Sequence, residues 1–163
     1  MKGTVIAYAA SACYYNPSYG QCGYAVILKH GDTRCELVGG RRRGTAAEML
    51  AFGVLDTLLT LPVHVPVTFI LNEGPKPGLT WEQVMSRGER PEIEDSVWYL
   101  VRRLIAKRSA TTEVRTPNYL RGEESYADLA YRKAWLELFK HGPRPRVMSP
   151  RKRRAAMFIA GGV

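Results

Sequence analysis

YAASACYYNPSYGQCGYAVIL, the stretch from Tyr8 to Leu28, divides into two apolar runs joined by a loop. The first run, Gly3 to Ala10, is short and almost continuously apolar, as a strand buried on both faces should be. Ser11 to Gly20 holds Tyr14, Tyr15, Asn16, Pro17 and Tyr19, residues suited to turns or to a surface. Gly23 to Lys29 reads as a second strand, and His30-Gly31-Asp32 marks a tight hairpin. Thr33 to Val38 alternates as a third strand, ended by Gly39-Gly40. Three antiparallel strands therefore open the chain.

Outward from there, Thr45 and Glu48 stand three residues apart at the head of an apolar stripe, the pattern of a capping box. Ala47, Leu50, Ala51, Val54, Leu55 and Leu58 follow at helical spacing, until Leu61-Pro62 stops the helix. Val65 to Leu71 is a buried central strand with Asn72 at its end, before the breaker-rich loop Glu73 to Gly78. Thr80 caps a short helix through Trp81 and Val84. Pro91 to Lys107 fits a further helix, with Ile93, Val97, Leu100, Val101 and Leu104 on one face. Thr111 to Arg115 is β-prone, and Glu123 to Lys140 is the last helix, with Tyr126, Leu129, Ala130, Lys133 and Ala134 at its spacing. From Gly142 to Val163 there are three prolines, six arginines or lysines and no acid. We expect residues 1–141 to form one domain and 142–163 a flexible basic tail. The tail's apolar end, Ala155 to Ala160, suits docking on a protein partner or on the domain itself.

A chain of 163 residues, 45% apolar, has the size and composition of one soluble domain. No apolar run reaches the ~18 residues that a membrane helix needs. The opening MKGTVIAYAASA is better explained by a strand than by a signal peptide, because its apolar run is short and leads into a turn. Three cysteines, odd in number and without metal-ligand spacing, suggest free thiols in a reducing intracellular compartment. The net charge of +9 favours an anionic partner, nucleic acid ahead of an acidic membrane surface. That charge gathers in Arg41-Arg42-Arg43, in Arg102, Arg103, Lys107 and Arg108, and in the tail.

From Gly3 to Lys140 the chain resembles the ribonuclease H-like nucleases. That family opens with a strand, then Asp-Gly-Ser-Cys, a Gly-Asn-Pro loop, a glycine-rich turn and Tyr-Gly-Ala-Val-Leu. Cys13, Asn16-Pro17, Gly20, Gly23-Tyr24 and Ala25-Val26 match it, and AAEMLAFGVLDTL, VTFIL and GLTWEQVMSRG follow in the family's order. The resemblance implies an α/β ribonuclease H-like fold, a mixed five-stranded sheet flanked by helices, its first three strands antiparallel. It also implies a site of four carboxylates holding two divalent metals about 3.5–4 Å apart.

The acids carry over unevenly. The first falls on Ala10, or on Ala9 with a one-residue slip, and neither binds metal. The second falls on Glu48, which also reads as the partner of a cap. The third falls on Asn72, which has an oxygen but no charge. The fourth falls on Asp128 or Ala127, and Asp128 also reads as an acid favoured by a helix N-terminus. The family's flexible-loop histidine has no counterpart in TPNYLRGEES. The site then carries one or two negative charges where the active pattern has about four, too few to balance a metal pair. We expect no catalytic or metal residue and no cofactor. Mg²⁺ or Mn²⁺ would enter only if a reduced set, Glu48, Asn72 and Asp128, still worked as a metal-dependent ribonuclease.

The binding side is better kept. In the family the loop after the first strand reads the minor groove of an RNA-containing duplex, and Asn16 and Cys13 match its residues. Tyr14 and Tyr15 suit either stacking on sugars and bases or packing on the hairpin. Arg41, Arg42, Arg43 and Arg121 suit phosphate, as do Arg144, Arg146, Arg151, Lys152, Arg153 and Arg154 of the tail. The expected partner is nucleic acid, RNA or RNA–DNA hybrid, bound without hydrolysis. A scaffold that holds a protein partner through its tail is the reading from another class.

Overall fold

A computed structural model of the chain describes residues 3–14, 20–71, 80–85 and 96–140. Among them are five strands and four helices: β1 (Val5–Cys13), β2 (Gly20–His30), β3 (Thr33–Gly44), α1 (Ala46–Thr60), β4 (Val67–Leu71), α2 (Trp81–Met85), α3 (Ser96–Lys107), β5 (Thr112–Arg115) and α4 (Glu124–Lys140). The strands form one mixed sheet in the order β3-β2-β1-β4-β5. β1 and β3 run antiparallel to β2, while β4 runs parallel to both β1 and β5. This is the mixed five-stranded α/β sheet, its first three strands antiparallel, that the family resemblance implies.

β1 sits at the middle of the sheet and is covered on both sides, which is why its sequence is nearly all apolar. Val5, Ala7 and Ala9 join Val26, Leu28, Val54, Leu58, Phe69 and Val101 in the core under α1 and α3. Tyr8, Ala10 and Ala12 face the other way, with Ala25, Ile27 and Ile70, under Ala130, Ala134 and Leu138 of α4. The second layer is thin because its residues are small. A Cβ on Gly23 would lie 2.6 Å from both the Ala134 carbonyl oxygen and the Leu138 nitrogen, so α4 rests on bare β2 backbone. α1 begins with the expected capping box: Glu48 N donates to Thr45 Oγ1 at 3.1 Å and Thr45 N to Glu48 Oε2 at 3.2 Å. Its buried stripe keeps Leu50, Ala51, Val54 and Leu58, but Met49 and Thr57 are buried where Ala47 is exposed.

Several boundaries differ from the sequence reading. β1 continues through Ser11 to Cys13, and β2 starts at Gly20, so less of the connection is loop. Gly39-Gly40 does not end β3, which runs on to Gly44. A Cβ at Gly39 would meet the Tyr24 ring at 2.6 Å, so here glycine marks a close approach inside a strand and not a break. The basic cluster at the end of α3 is only half on the surface, where Arg103 and Lys107 are exposed. Arg102 and Arg108 are both buried. The Arg108 guanidinium donates to the carbonyls of Leu61 at 3.2 Å, Pro62 at 3.1 Å and Val65, tying the end of α3 to the turn before β4. Burial lowers its pKa from the ordinary arginine value. Asn72, Tyr15, Asn16, the segment before Ser96 and the whole of 141–163 lie outside the described residues.

Candidate nucleic-acid interface

Strand direction gathers the candidate residues at one end of the sheet. β1 and β4 pair in parallel up to Ala9 opposite Leu71, and β3 and β5 point the same way. The end of β3 leads into α1 and the end of β5, through a turn at Tyr119–Arg121, into α4. The region beyond such strand ends is where open α/β sheets meet their ligands.

Where the resemblance implies its first acid, this end of the sheet presents a methyl group. Ala10 is 1% exposed in the layer under α4, and Ala9 is equally buried on the opposite face, under α1. Glu48 is partly exposed, and its carboxylate closes the cap of α1. On α4 the residues turned to the sheet are Ala127, Ala130, Ala134 and Leu138, while Asp128 is exposed. Of the two positions left open at the head of α4, the inward one is therefore alanine. Among the described residues, no three His, Cys, Asp or Glu side chains gather as metal ligands. Two hard cations need several anionic oxygens, and one glutamate engaged in a cap beside buried methyls does not fit that demand.

A carboxylate that the sequence reading passed over does lie here. Glu123, just before α4, is 6% exposed and takes a two-pronged ion pair from Arg115, at 2.6 and 2.5 Å, plus a hydrogen bond from Asn118 N at 2.7 Å. The Arg115 guanidinium holds the Glu123 carboxyl below the usual carboxylate range. Burial, and then the Glu123 charge, raise the pKa of the Tyr8 hydroxyl. Glu123 is thus neutralised by a partner from β5. The sequence holds no signal for the pair beyond opposite charges eight residues apart.

The basic side is exposed. Arg41, Arg42 and Arg43 close β3, and all three are open to solvent. Cys22 pairs with Arg41 but Gly20 with Gly44, so three steps on β3 match two on β2. Such a bulge takes Arg42 and Arg43 out of strict alternation. Arg41 lies over the Phe52 ring, 4.9 Å from its centroid. Tyr14 is exposed just past β1, its N–H donating to the Gln21 carbonyl at 2.8 Å. Cys13 is buried, its Sγ 3.5 Å from the Gly44 carbonyl oxygen. Arg121 is exposed and lines an open groove of about 530 Å³ with Arg115, Pro117, Asn118 and Leu120.

Neither a family model nor a curated protein matches this sequence. Solved structures do match it. The fold is similar to RNase H1 of the halophilic archaeon Halobacterium salinarum, with a TM-score of 0.59 and 15% identity over 83% of this chain and 99% of that one. It is similar to the N-terminal RNase H domain of a Mycobacterium tuberculosis protein solved fused to maltose binding protein, with a TM-score of 0.57 and 15% identity over 81% and 98%. A third, LC9-RNase H1, a type 1 RNase H with the type 2 active-site motif, gives 0.53 and 14% over 94% and 81%.

Proposed function

We propose that this chain uses its ribonuclease H-like fold to bind nucleic acid, RNA or RNA–DNA hybrid first, without cutting it. The observation that carries the reading is the contrast at one end of the sheet. Ala10 is a buried methyl where the family resemblance implies an acid, and of Ala127 and Asp128, the two positions open for another, the buried one is alanine, while Arg41 to Arg43 stand exposed at the end of β3. Without a set of anionic oxygens there is nothing to hold two metals, activate water and steady a leaving oxygen. The arginines need no metal: each donates a planar fork to phosphate. Contacts of that kind give affinity with little sequence preference and a strong dependence on salt.

The test is a titration of the full chain against labelled single-stranded RNA, duplex RNA, RNA–DNA hybrid and duplex DNA. Each is run with EDTA and then with Mg²⁺ or Mn²⁺, followed by a denaturing gel. Binding that survives EDTA and leaves every strand intact supports the reading and names the ligand. Metal-dependent cuts abolished by Glu48→Ala would replace it with a reduced but working nuclease. No binding at low salt would leave the fold without a nucleic-acid role.

A further inference from the structure

The hairpin of β1 and β2 brings two cysteines face to face. Cys13 is the register partner of Cys22, and both are buried. The next pair along is Tyr14 and Gln21, where the Tyr14 N–H donates to the Gln21 carbonyl at 2.8 Å. That makes Tyr14–Gln21 a hydrogen-bonded pair and, since antiparallel pairs alternate, Cys13–Cys22 a non-hydrogen-bonded one. Partners of that kind have Cα atoms about 4.5 Å apart with their side chains on one face, inside the roughly 4.4–6.8 Å that a disulfide spans. The two thiols share a pocket with Ala46 and Met49 at the start of α1. They turn toward the same stretch of β3: Cys13 Sγ lies 3.5 Å from the Gly44 carbonyl oxygen and Cys22 Sγ 3.7 Å from that of Arg41. Space there exists because residue 44 is glycine, since a Cβ would sit 2.7 Å from Cys22 Sγ. Cys35, exposed on β3 opposite Leu28, takes no part.

We propose that Cys13 and Cys22 form a dithiol site that closes to an intrachain disulfide on exchange with a small-molecule disulfide such as oxidised glutathione. The Cys13 thiolate attacks one sulfur of the glutathione disulfide, forming a mixed disulfide and releasing one glutathione thiol. Cys22 then loses its proton and attacks the Cys13 sulfur, expelling the second glutathione. Two protein thiols are oxidised, one disulfide is reduced, and the two protons leave on the two glutathione thiols. Cys13 acts first because it stands at the end of its strand, at 9% exposure against 0% for Cys22. Burial, with Cys13 beside it, also pushes the Cys22 thiol up to about 11, so at neutral pH it reacts well only with a sulfur already next to it. Closure pins the ends of the connection from Tyr14 to Gln21. The reduced form is the one described above, so the site reports its redox surroundings whatever the domain binds.

The test uses the full chain with Cys35→Ser, which removes the exposed thiol. The protein is unfolded in urea and refolded in glutathione buffers from fully reduced to fully oxidised, so that burial cannot block exchange. It is then alkylated, weighed intact and melted. The expected oxidised product has no alkylatable thiol, is two hydrogens lighter than the reduced chain, and melts higher by roughly 5–10 °C. Two free thiols in the most oxidising buffer would overturn the proposal. So would glutathione retained on either cysteine, or a disulfide found only in protein without a native melt.

Discussion

Glu123 and Glu48 stand near the same end of the sheet, and their neighbours give them different consequences. Glu123 is buried against Arg115, so its carboxyl has a lower pKa folded than in the unfolded chain, where a glutamate titrates near 4.3. The stability from that difference is fully present above the unfolded value and is lost as pH falls through the folded one. We expect Glu123→Gln to lower stability by about 1–3 kcal/mol at neutral pH, a modest range because the Arg115 side chain is 35% exposed. In urea melts between pH 7 and 3, the variant should lose less stability than the parent; parallel pH curves would remove the ion pair from the account. Glu48 closes a cap, and Glu48→Ala should cost about 1 kcal/mol in the same melts. Nucleic-acid affinity should stay unchanged, because the proposed contacts are basic. A tenfold fall in affinity, or a fall only when Mg²⁺ is present, would give Glu48 a ligand's role. The burial of Ala10 and the cap of Glu48 are legible in sequence, because one ends an apolar run and the other rests on local spacing. The Arg115–Glu123 pair is not, since it forms only when β5 and the head of α4 meet across the end of the sheet.

At the scale of elements, the close contact between α4 and β2 decides how the second layer is built. Gly23 lies where any side chain would press on the backbone of α4, against Ala134 and Leu138. Backbone cannot swing away as the end of a side chain can, so Gly23→Ala should cost about 1–3 kcal/mol. Gly39→Ala meets a ring of β2, that of Tyr24, and the ring can shift. The smaller loss should therefore belong to Gly39→Ala, and thermal melts of the two variants would test the order. The same contrast shows where sequence reading stops. Order and type of element follow from period and punctuation: the apolar run ending at Leu71, the cap of α1, and Ala130 and Ala134 of α4 are visible that way, while the inward Ala127 and Leu138 are not, and Lys133 of the expected face pairs with Glu36. Whether a glycine breaks a strand or lets another element approach is a tertiary fact. Gly39-Gly40 therefore reads as an end when β3 continues, and three exposed arginines read as a loop when they belong to a bulged strand.

For the whole molecule, net charge says less than where the charge is free to act. Of the chain's basic residues, Arg102 on α3 and Arg108 just past it are buried and add little to a surface, Arg108 being spent on the carbonyls of Leu61, Pro62 and Val65. The exposed cluster at the end of β3 is different, because its three guanidinium groups stand beside the end of the sheet where ligands are met. Each phosphate neutralised there releases counterions, so log affinity falls with log salt by about 0.7–0.9 per contact. Replacing Arg41, Arg42 and Arg43 together by alanine should reduce that slope by about 2 and weaken binding most at low salt. Arg41 also rests on the Phe52 ring, so an Arg42, Arg43 double variant separates lost phosphate contacts from lost packing. If the arginines bind phosphate, the double variant keeps the parent melting temperature and still lowers the slope by about 1.5, equally on every sequence tested. If the slope is unchanged while a chain ending at Lys140 loses it, binding belongs to the tail and not to the end of the sheet.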